Sequence, residues 1–224
     1  MKYILQFEKK GLMAYISHLD LQRVFLRVLR MTDHRPAYSH GFNPHPKLSI
    51  ALPLSLGFTS DCEYLEVQSE KPWLTKDKDG DFVPVLKILN ARLPKGIAFT
   101  AIYEKNAEQT KTLSALCIAA EYEMTVPNVT IREADLVQYL SREEILAEKR
   151  IKKTGKMELR NIRPLVYAFA VESLPDGSGV FRCKLAAGAQ TISPLILLSA
   201  FFAESGMPLD VSEVSVKRTK IIFP

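Results

Sequence analysis

One succession of amphipathic patterns runs through this chain twice, and that succession leaves few folds open. Tyr3, Leu5 and Phe7 alternate with Ile4, Gln6 and Glu8, the two-residue period of a half-buried strand. Ser17 then offers a helix N-cap, with Asp20 as a short-armed capping box, and Leu21, Phe25, Val28 and Leu29 form one apolar stripe. Leu48, Ile50, Leu52 and Leu54 alternate as a second strand, where Pro53 marks an edge or an end. Cys62 to Gln68 is a third. Asp81 is placed to cap a helix carrying Val85, Leu86, Leu89 and Leu93 and stopped by Pro94 and Gly96, after which Ile97, Phe99, Ala101 and Tyr103 alternate again. The order is β-α-β-β-α-β, the split βαβ of a ferredoxin-like sandwich.

The polar run Glu104 to Thr112 reads as a linker, and a similar order then restarts. Ile118 to Val126 alternates; Thr130 with Glu133 forms a capping box before Leu136, Val137 and Leu140; Ile145 to Ile151 has strand composition. Leu165 to Val171 and Val180 to Leu185 flank the turn Pro175-Asp176-Gly177-Ser178-Gly179. Ser193-Pro194 opens a helix that Gly206 ends, and Val214 to Phe223 closes the chain as a strand, leaving an extra segment around Met157 to Pro164. The expected class is α+β, with two tandem ferredoxin-like (βαββαβ) sandwiches built on antiparallel sheets. The first covers residues 1–106 and the second 115–224. A chain of 224 residues that is 47% apolar can fill two such cores.

Three dispersed cysteines, Cys62, Cys117 and Cys183, fit neither a disulfide framework nor a clustered metal site, so a reduced, cytoplasmic setting is expected. No basic leader opens the chain. The longest apolar run, Pro194 to Ala203, is about half of the roughly 20 residues a bilayer requires, so no membrane partner is expected. A formal charge of +5 permits a polyanionic partner without demanding one.

Chemistry concentrates near the amino end, where all four histidines fall between His18 and His45. Imidazole is the side chain that most readily exchanges protons or binds metal near neutral pH. His18 sits in the first turn of the first predicted helix, where free backbone N–H groups favour an anion and disfavour imidazolium. Asp20, Arg23, Arg27 and Arg30 recur on one face of that helix as a mostly basic stripe; the plain reading is a solvated face on which Asp20 pairs with Arg23. In Tyr38-Ser39-His40-Gly41-Phe42-Asn43-Pro44-His45-Pro46 the two prolines hold Asn43 and His45 extended, and Gly41 can take a positive φ. A stiff polar loop of this kind aims Asn43 and His45 with little entropy to lose.

A second basic concentration comprises Lys149, Arg150, Lys152, Lys153, Lys156, Arg160 and Arg163, broken by the single acid Glu158. Spread over a hairpin, it suits a phosphate backbone, although no aromatic residues are interleaved for base stacking.

The run Ile16-Ser17-His18-Leu19-Asp20-Leu21, the loop Ala37 to Lys47, Leu54 to Gly57 and Glu63-Tyr64-Leu65 together resemble the radical SAM-linked protein family. That family is encoded beside, or fused to, a radical S-adenosylmethionine enzyme. The resemblance implies such an enzyme as a partner. The dispersed cysteines cannot supply a [4Fe-4S] cluster, so the radical chemistry belongs to that partner and no cofactor is expected here.

The leading expectation is an RNA-binding accessory module that presents RNA, ribosomal or transfer, to the radical enzyme. Phosphates would be held by Arg23, Arg27 and the Lys149 to Arg163 cluster, with His18, Tyr38, Asn43 and His45 nearer the modified nucleotide. Three alternatives stand beside it. A metal-free ribonuclease would use His18 and His45 as acid and base on one phosphodiester. A metal site would use His18, Asp20, His40 and His45. A protein-interaction scaffold would dock the enzyme and touch no substrate.

Overall fold

A computed structural model of the chain describes residues 1–73, 81–150 and 157–224, with the backbone alone at Lys149 and Arg150. Among the described residues are ten strands and five α-helices in a mixed α+β fold. The chain divides into two units, Met1–Cys117 with Phe223–Pro224, and Ile118–Ile222.

The first unit contains β1 (Lys2–Lys9), α1 (His18–Arg30), β2 (Leu48–Ile50), β3 (Thr59–Gln68), α2 (Val83–Asn90), β4 (Ile97–Glu104) and the short α3 (Leu113–Leu116). Its strands lie in the order β4-β1-β3-β2, all antiparallel. Strict alternation along β1 sends Tyr3, Leu5 and Phe7 to one face, where Leu5 sits opposite Leu65 on one side and Ile102 on the other. The apolar stripe of α1 (Leu21, Phe25, Val28, Leu29) and Val85 and Leu89 of α2 cover that face. Phe25 is the keystone of the packing, with its ring 4.8 Å from Phe7 and 5.2 Å from Phe99.

Three local expectations give way here. Pairing of β2 stops after the Ala51 N–H donates to the Tyr64 carbonyl at 2.9 Å, because Pro53 has no N–H with which to continue the ladder. The N-cap of α2 is Phe82, and Pro84 in the first turn removes a backbone donor that would otherwise be unsatisfied. The polar run after β4 is no free linker. Lys105 is buried, and its Nζ donates to Glu66 Oε1 at 2.9 Å and to the Lys111 carbonyl at 2.6 Å. The other Glu66 oxygen accepts from the Leu113 N–H at 3.0 Å. Glu66 alternates with the core residues Leu65 and Val67, so this ion pair holds residues 105–113 against the sheet face opposite the helices.

At the edge of the same core Trp73 stacks on Tyr3 with centroids 4.1 Å apart, and buried His34 meets the Trp73 ring edge-on at 4.9 Å. Burial holds the His34 imidazole below its ordinary range, so the native state resists its protonation.

The second unit contains β5 (Ala119–Val126), α4 (Glu133–Leu140), β6 (Leu146–Arg150), β7 (Met157–Asn161), β8 (Val166–Ser173), β9 (Gly179–Ala186), α5 (Pro194–Glu204) and β10 (Ser215–Ile222). The strand order is β10-β5-β9-β8, again antiparallel. The segment with strand composition at Ile145 to Ile151 does not join this sheet. It forms β6, which among the described residues pairs with β7 as a separate two-stranded ribbon, closed at its base where Asn161 Oδ1 accepts from the N–H groups of Ile145 and Arg163. Arg132, rather than Thr130, is the N-cap of α4, whose first turn carries Glu133 and Asp135 against the positive helix end. Leu197, Leu198, Phe201 and Phe202 of α5 fill the core against Phe169 and Phe181, and Gly206, at φ +67°, lets the chain turn away after the helix. Among the described residues no helix is long and apolar enough to cross a membrane.

Two expected outcomes follow from the first unit. Lys105→Met leaves the Glu66 carboxylate buried without its cation, so urea denaturation should show a loss of about 3–5 kcal/mol; a loss under about 1 kcal/mol would contradict the anchoring role. Because the folded pKa of His34 is depressed, its contribution to stability is complete above the unfolded value near 6.5 and declines as the pH falls below it. The melting temperature should therefore drop between pH 7.5 and 5.5, and His34→Phe should flatten that drop; identical pH profiles for the two proteins would refute the assignment.

Candidate functional site

Helix α1 acts as a ruler between the two histidine-bearing segments. Its 13 residues rise roughly 18 Å from His18 to Arg30, at about 1.5 Å per residue. Ser17 caps the amino end as the sequence indicates, accepting from the Asp20 N–H at 3.1 Å and donating from its hydroxyl to Asp20 Oδ2 at 2.7 Å. That hydroxyl, with the Arg23 guanidinium 2.7 Å away, holds the Asp20 carboxyl below the usual range. Arg23 is thus spent on its helix neighbour, the plain reading of the stripe, while Arg27 is exposed one turn further on.

His18 looks inward at this end. With Lys9, Glu63, Phe7 and Leu54 it lines a cavity of about 10 Å³, room for a single water. Lys9 and Glu63 are almost fully buried, and Lys9 Nζ donates to the Ala14 carbonyl at 3.2 Å. Both occupy core-facing positions of the sheet, Glu63 opposite Phe7 and Lys9 opposite Ser60. The alternation of β1 carries this information, since Lys9 continues the inward series Tyr3, Leu5, Phe7, yet a lysine at a strand end reads as solvent-facing. The arrangement fixes the turn before α1. It leaves no room for a nucleotide.

The loop that follows α1 lies at the helix's other end. Ala37 N–H donates to the Gln68 carbonyl at 2.7 Å and Gln68 N–H to the Lys47 carbonyl at 3.0 Å, which pins both strands of the loop to the end of β3, while Lys47 N–H donates to the Ala37 carbonyl at 2.7 Å and joins the two strands. Ser39 closes it twice, its N–H donating to the His45 carbonyl at 2.8 Å and its hydroxyl accepting from the His45 N–H at 2.9 Å. Arg30, in the last turn of α1, donates from Nε to the Tyr38 hydroxyl at 2.9 Å. Above this clamp, with Gly41 at φ +122°, stand His40, Phe42, Asn43, Pro44 and His45, all exposed. Phe42 is 112% exposed, a large apolar ring with no packing role. Arg27, Arg30 and Arg35 are exposed around the end of α1 and the start of the loop.

The structure therefore groups Tyr38, Asn43 and His45 with Arg30 at one end of α1 and sets His18 at the other. A ribonuclease that needs both imidazoles on one phosphodiester does not fit this separation. His18 with Asp20 is likewise parted from His40 and His45, and among the described residues no group of three or more His, Cys, Asp and Glu side chains is placed to hold a metal ion. Sequence pattern does not single out Phe42, because a lone aromatic in a loop has no period to mark it.

The other basic concentration belongs to the second unit. Lys149 and Arg150 lie on β6 and Arg160 is exposed on β7, opposite Ala147. Lys152, Lys153 and Lys156 lie outside the described residues. Arg163 is half-buried and structural: Nε donates to the Leu140 carbonyl at 2.9 Å and a terminal nitrogen to that of Val166 at 3.1 Å.

No curated protein matches the chain. Among solved structures, a chain of the Cbf5-Nop10-Gar1 complex superposes with a TM-score of 0.52 at 10% sequence identity, over 98% of this chain and 48% of that one. The likeness is one of fold, and this chain spans about half the length of that relative. Residues 2–194 match the family described as "Uncharacterized protein conserved in bacteria (DUF2344)", and the chain belongs to that family.

Proposed function

We propose that this protein is an RNA-binding accessory module that presents RNA to a partner radical S-adenosylmethionine enzyme. The observation that carries the RNA part is the clamped loop. A stacking ring (Phe42), an amide and two imidazoles project from a stiff base, with Arg27, Arg30 and Arg35 exposed nearby. Aromatic faces for bases together with cations for phosphates are what single-stranded RNA requires. The partner enzyme rests on the resemblance of the Ile16 to Leu21 and Ala37 to Lys47 segments to the radical SAM-linked family. We read each unit as ferredoxin-like, since β4-β1-β3-β2 and β10-β5-β9-β8 repeat one order with a helix after the first and third strands of each sheet. Three free, buried cysteines suit a reducing, cytoplasmic setting.

A second reading, a docking scaffold for the enzyme, draws on the apolar groove of about 690 Å³ between the β6–β7 ribbon and α5, lined by Leu146, Met157, Leu159, Leu195 and Ile196. Copurification of the two proteins with and without ribonuclease separates the readings. Survival of the complex after digestion favours the scaffold.

Fluorescence anisotropy on short single-stranded RNAs should show affinity falling steeply between 50 and 200 mM salt. Phe42→Ala should weaken binding about tenfold or more at fixed salt without moving the melting temperature, because a lost base stack is worth about 1–3 kcal/mol and the ring packs against nothing. A double Arg27→Ala, Arg30→Ala variant should reduce the slope of log affinity against log salt by about one to two. Undetectable binding at 50 mM salt, or a Phe42→Ala protein that binds like wild type, would remove the proposal.

A further inference from the structure

Four large apolar side chains stand out of the first unit at the amino end of α1, and the RNA-binding reading uses none of them. The turn before that helix is a 3₁₀ helix, Gly11–Tyr15, in which side chains three apart eclipse one another. Leu12 and Tyr15 therefore share one side, 84% and 69% exposed, while Ala14 between them is buried. The Gly57 N–H donates to the Ala14 carbonyl at 2.9 Å, and a Cβ placed on Gly57 would stand 3.9 Å from the Tyr15 ring, which brings Leu56, 63% exposed, beside them. Leu19, 62% exposed in the first turn of α1, follows His18, which shares its small cavity with Ile16 and Leu54 of the same two segments. Exposed apolar surface gathered in this way marks a site of interaction.

Charge selects what can cover the patch. The ionised groups that flank it are of both signs and already matched: Lys10 pairs with Glu8 and Asp61, and Arg23 with Asp20. Such a rim offers no excess of cations to an RNA backbone or an anionic lipid surface. It does match itself, since a two-fold axis can set the acids of one copy against the bases of another. The far end of α1 has the opposite character, because the exposed Arg27, Arg30 and Arg35 would there meet their own kind. Area agrees with a small contact. At roughly 100 Å² for a leucine side chain and 200 Å² for a tyrosine, the four expose about 350 Å² on one copy. Two copies bury on the order of 700 Å² before the surrounding rim is added, which brings the contact to the lower bound of a specific interface at about 1,000 Å².

We infer that this patch is a self-association surface on which a second copy of the chain docks about a two-fold axis, with apolar side chains at the centre and charges of both signs at the rim. The contact is reversible, with a dissociation constant on the order of 10–100 µM. It leaves the clamped loop, roughly 18 Å away along α1, uncovered in each copy. The inference stands without the RNA-binding reading. Where that reading holds, a dimer presents two such loops, and an RNA long enough to reach both is held by avidity.

Sedimentation velocity on the full chain, treated with ribonuclease so that no RNA bridges two copies, tests this between about 1 and 300 µM. Wild type should pass from monomer to dimer over that range, and 500 mM salt should not reverse the association, since the centre of the contact is apolar. A Leu12→Asp, Tyr15→Asp variant should associate at least tenfold more weakly and keep its melting temperature, because both side chains are mostly exposed. Leu159→Asp, an exposed apolar position on β7 of the second unit, should dimerise like wild type. On dilution of labelled wild type the amide resonances of Leu12 to Leu19 and of Leu56 should move most, a readout that needs no variant to fold. A chain that stays monomeric at 300 µM overturns the inference and leaves the patch to a different protein; a monomer that binds anionic phospholipid vesicles overturns it in favour of lipid. Dimerisation that Leu159→Asp abolishes, that the double variant leaves intact, or that moves other amides on dilution overturns it by placing the contact elsewhere. Phe42→Ala should lose RNA affinity and still dimerise, so either reading can fail without the other.

Discussion

The seating of Phe25 between Phe7 and Phe99 is the contact on which the arrangement of the first unit depends. It fixes α1 along the sheet, and the helix, once fixed, determines what can be near what. Ser17 and His18 are carried to the end where β1 finishes; Arg30 and the loop it clamps are carried to the end where β3 finishes. A helix of this length is a rigid spacer, and no rearrangement of side chains closes a gap of roughly 18 Å. The separation of the histidines is thus a consequence of core packing and not of loop conformation.

The two ends differ in kind. At the first, Lys9 and Glu63 are buried together beside His18, a polar cluster within an otherwise apolar core, and the cavity they line has room for a single water. Such clusters specify one arrangement of a turn more than they add stability. At the second, the polar and aromatic side chains face solvent, and the hydrogen bonds lie beneath them, in the clamp of Arg30, Tyr38, Ser39 and His45. A preorganised base with free side chains above it is the division that recognition requires, because the ordering entropy has been lost before a ligand arrives. The Glu66–Lys105 pair performs a comparable service on the opposite sheet face, holding the chain after β4 against β3.

Much of this was legible in the sequence because it is written in periods. The alternation of Tyr3, Leu5 and Phe7, the stripe of Leu21, Phe25, Val28 and Leu29, and the Ser-Pro and Gly that bracket α5 each have a local cause and reappear within a residue or two. What was missed has a non-local cause. Whether Ile145 to Ile151 joins the main sheet or pairs with the next segment depends on partners, since both outcomes satisfy the same propensity. The burial of Lys105 depends on Glu66 across the chain. The site was legible only as a region: the stiffness of Asn43-Pro44-His45-Pro46 follows from proline chemistry, but the isolation of Phe42 and the placing of His18 beside Lys9 and Glu63 exist only once the cores are formed.

The central claim is that the functional face of the first unit is the clamped loop at the carboxyl end of α1 and not the histidine at its amino end. Backbone amide chemical-shift mapping of the labelled protein with a short single-stranded RNA separates the two directly. The account predicts that the largest shifts fall on Ser39 to His45 and on Arg30, with Ser17 to Leu21 unmoved. Shifts concentrated at Ser17 to Leu21, or none anywhere at low salt, would contradict it.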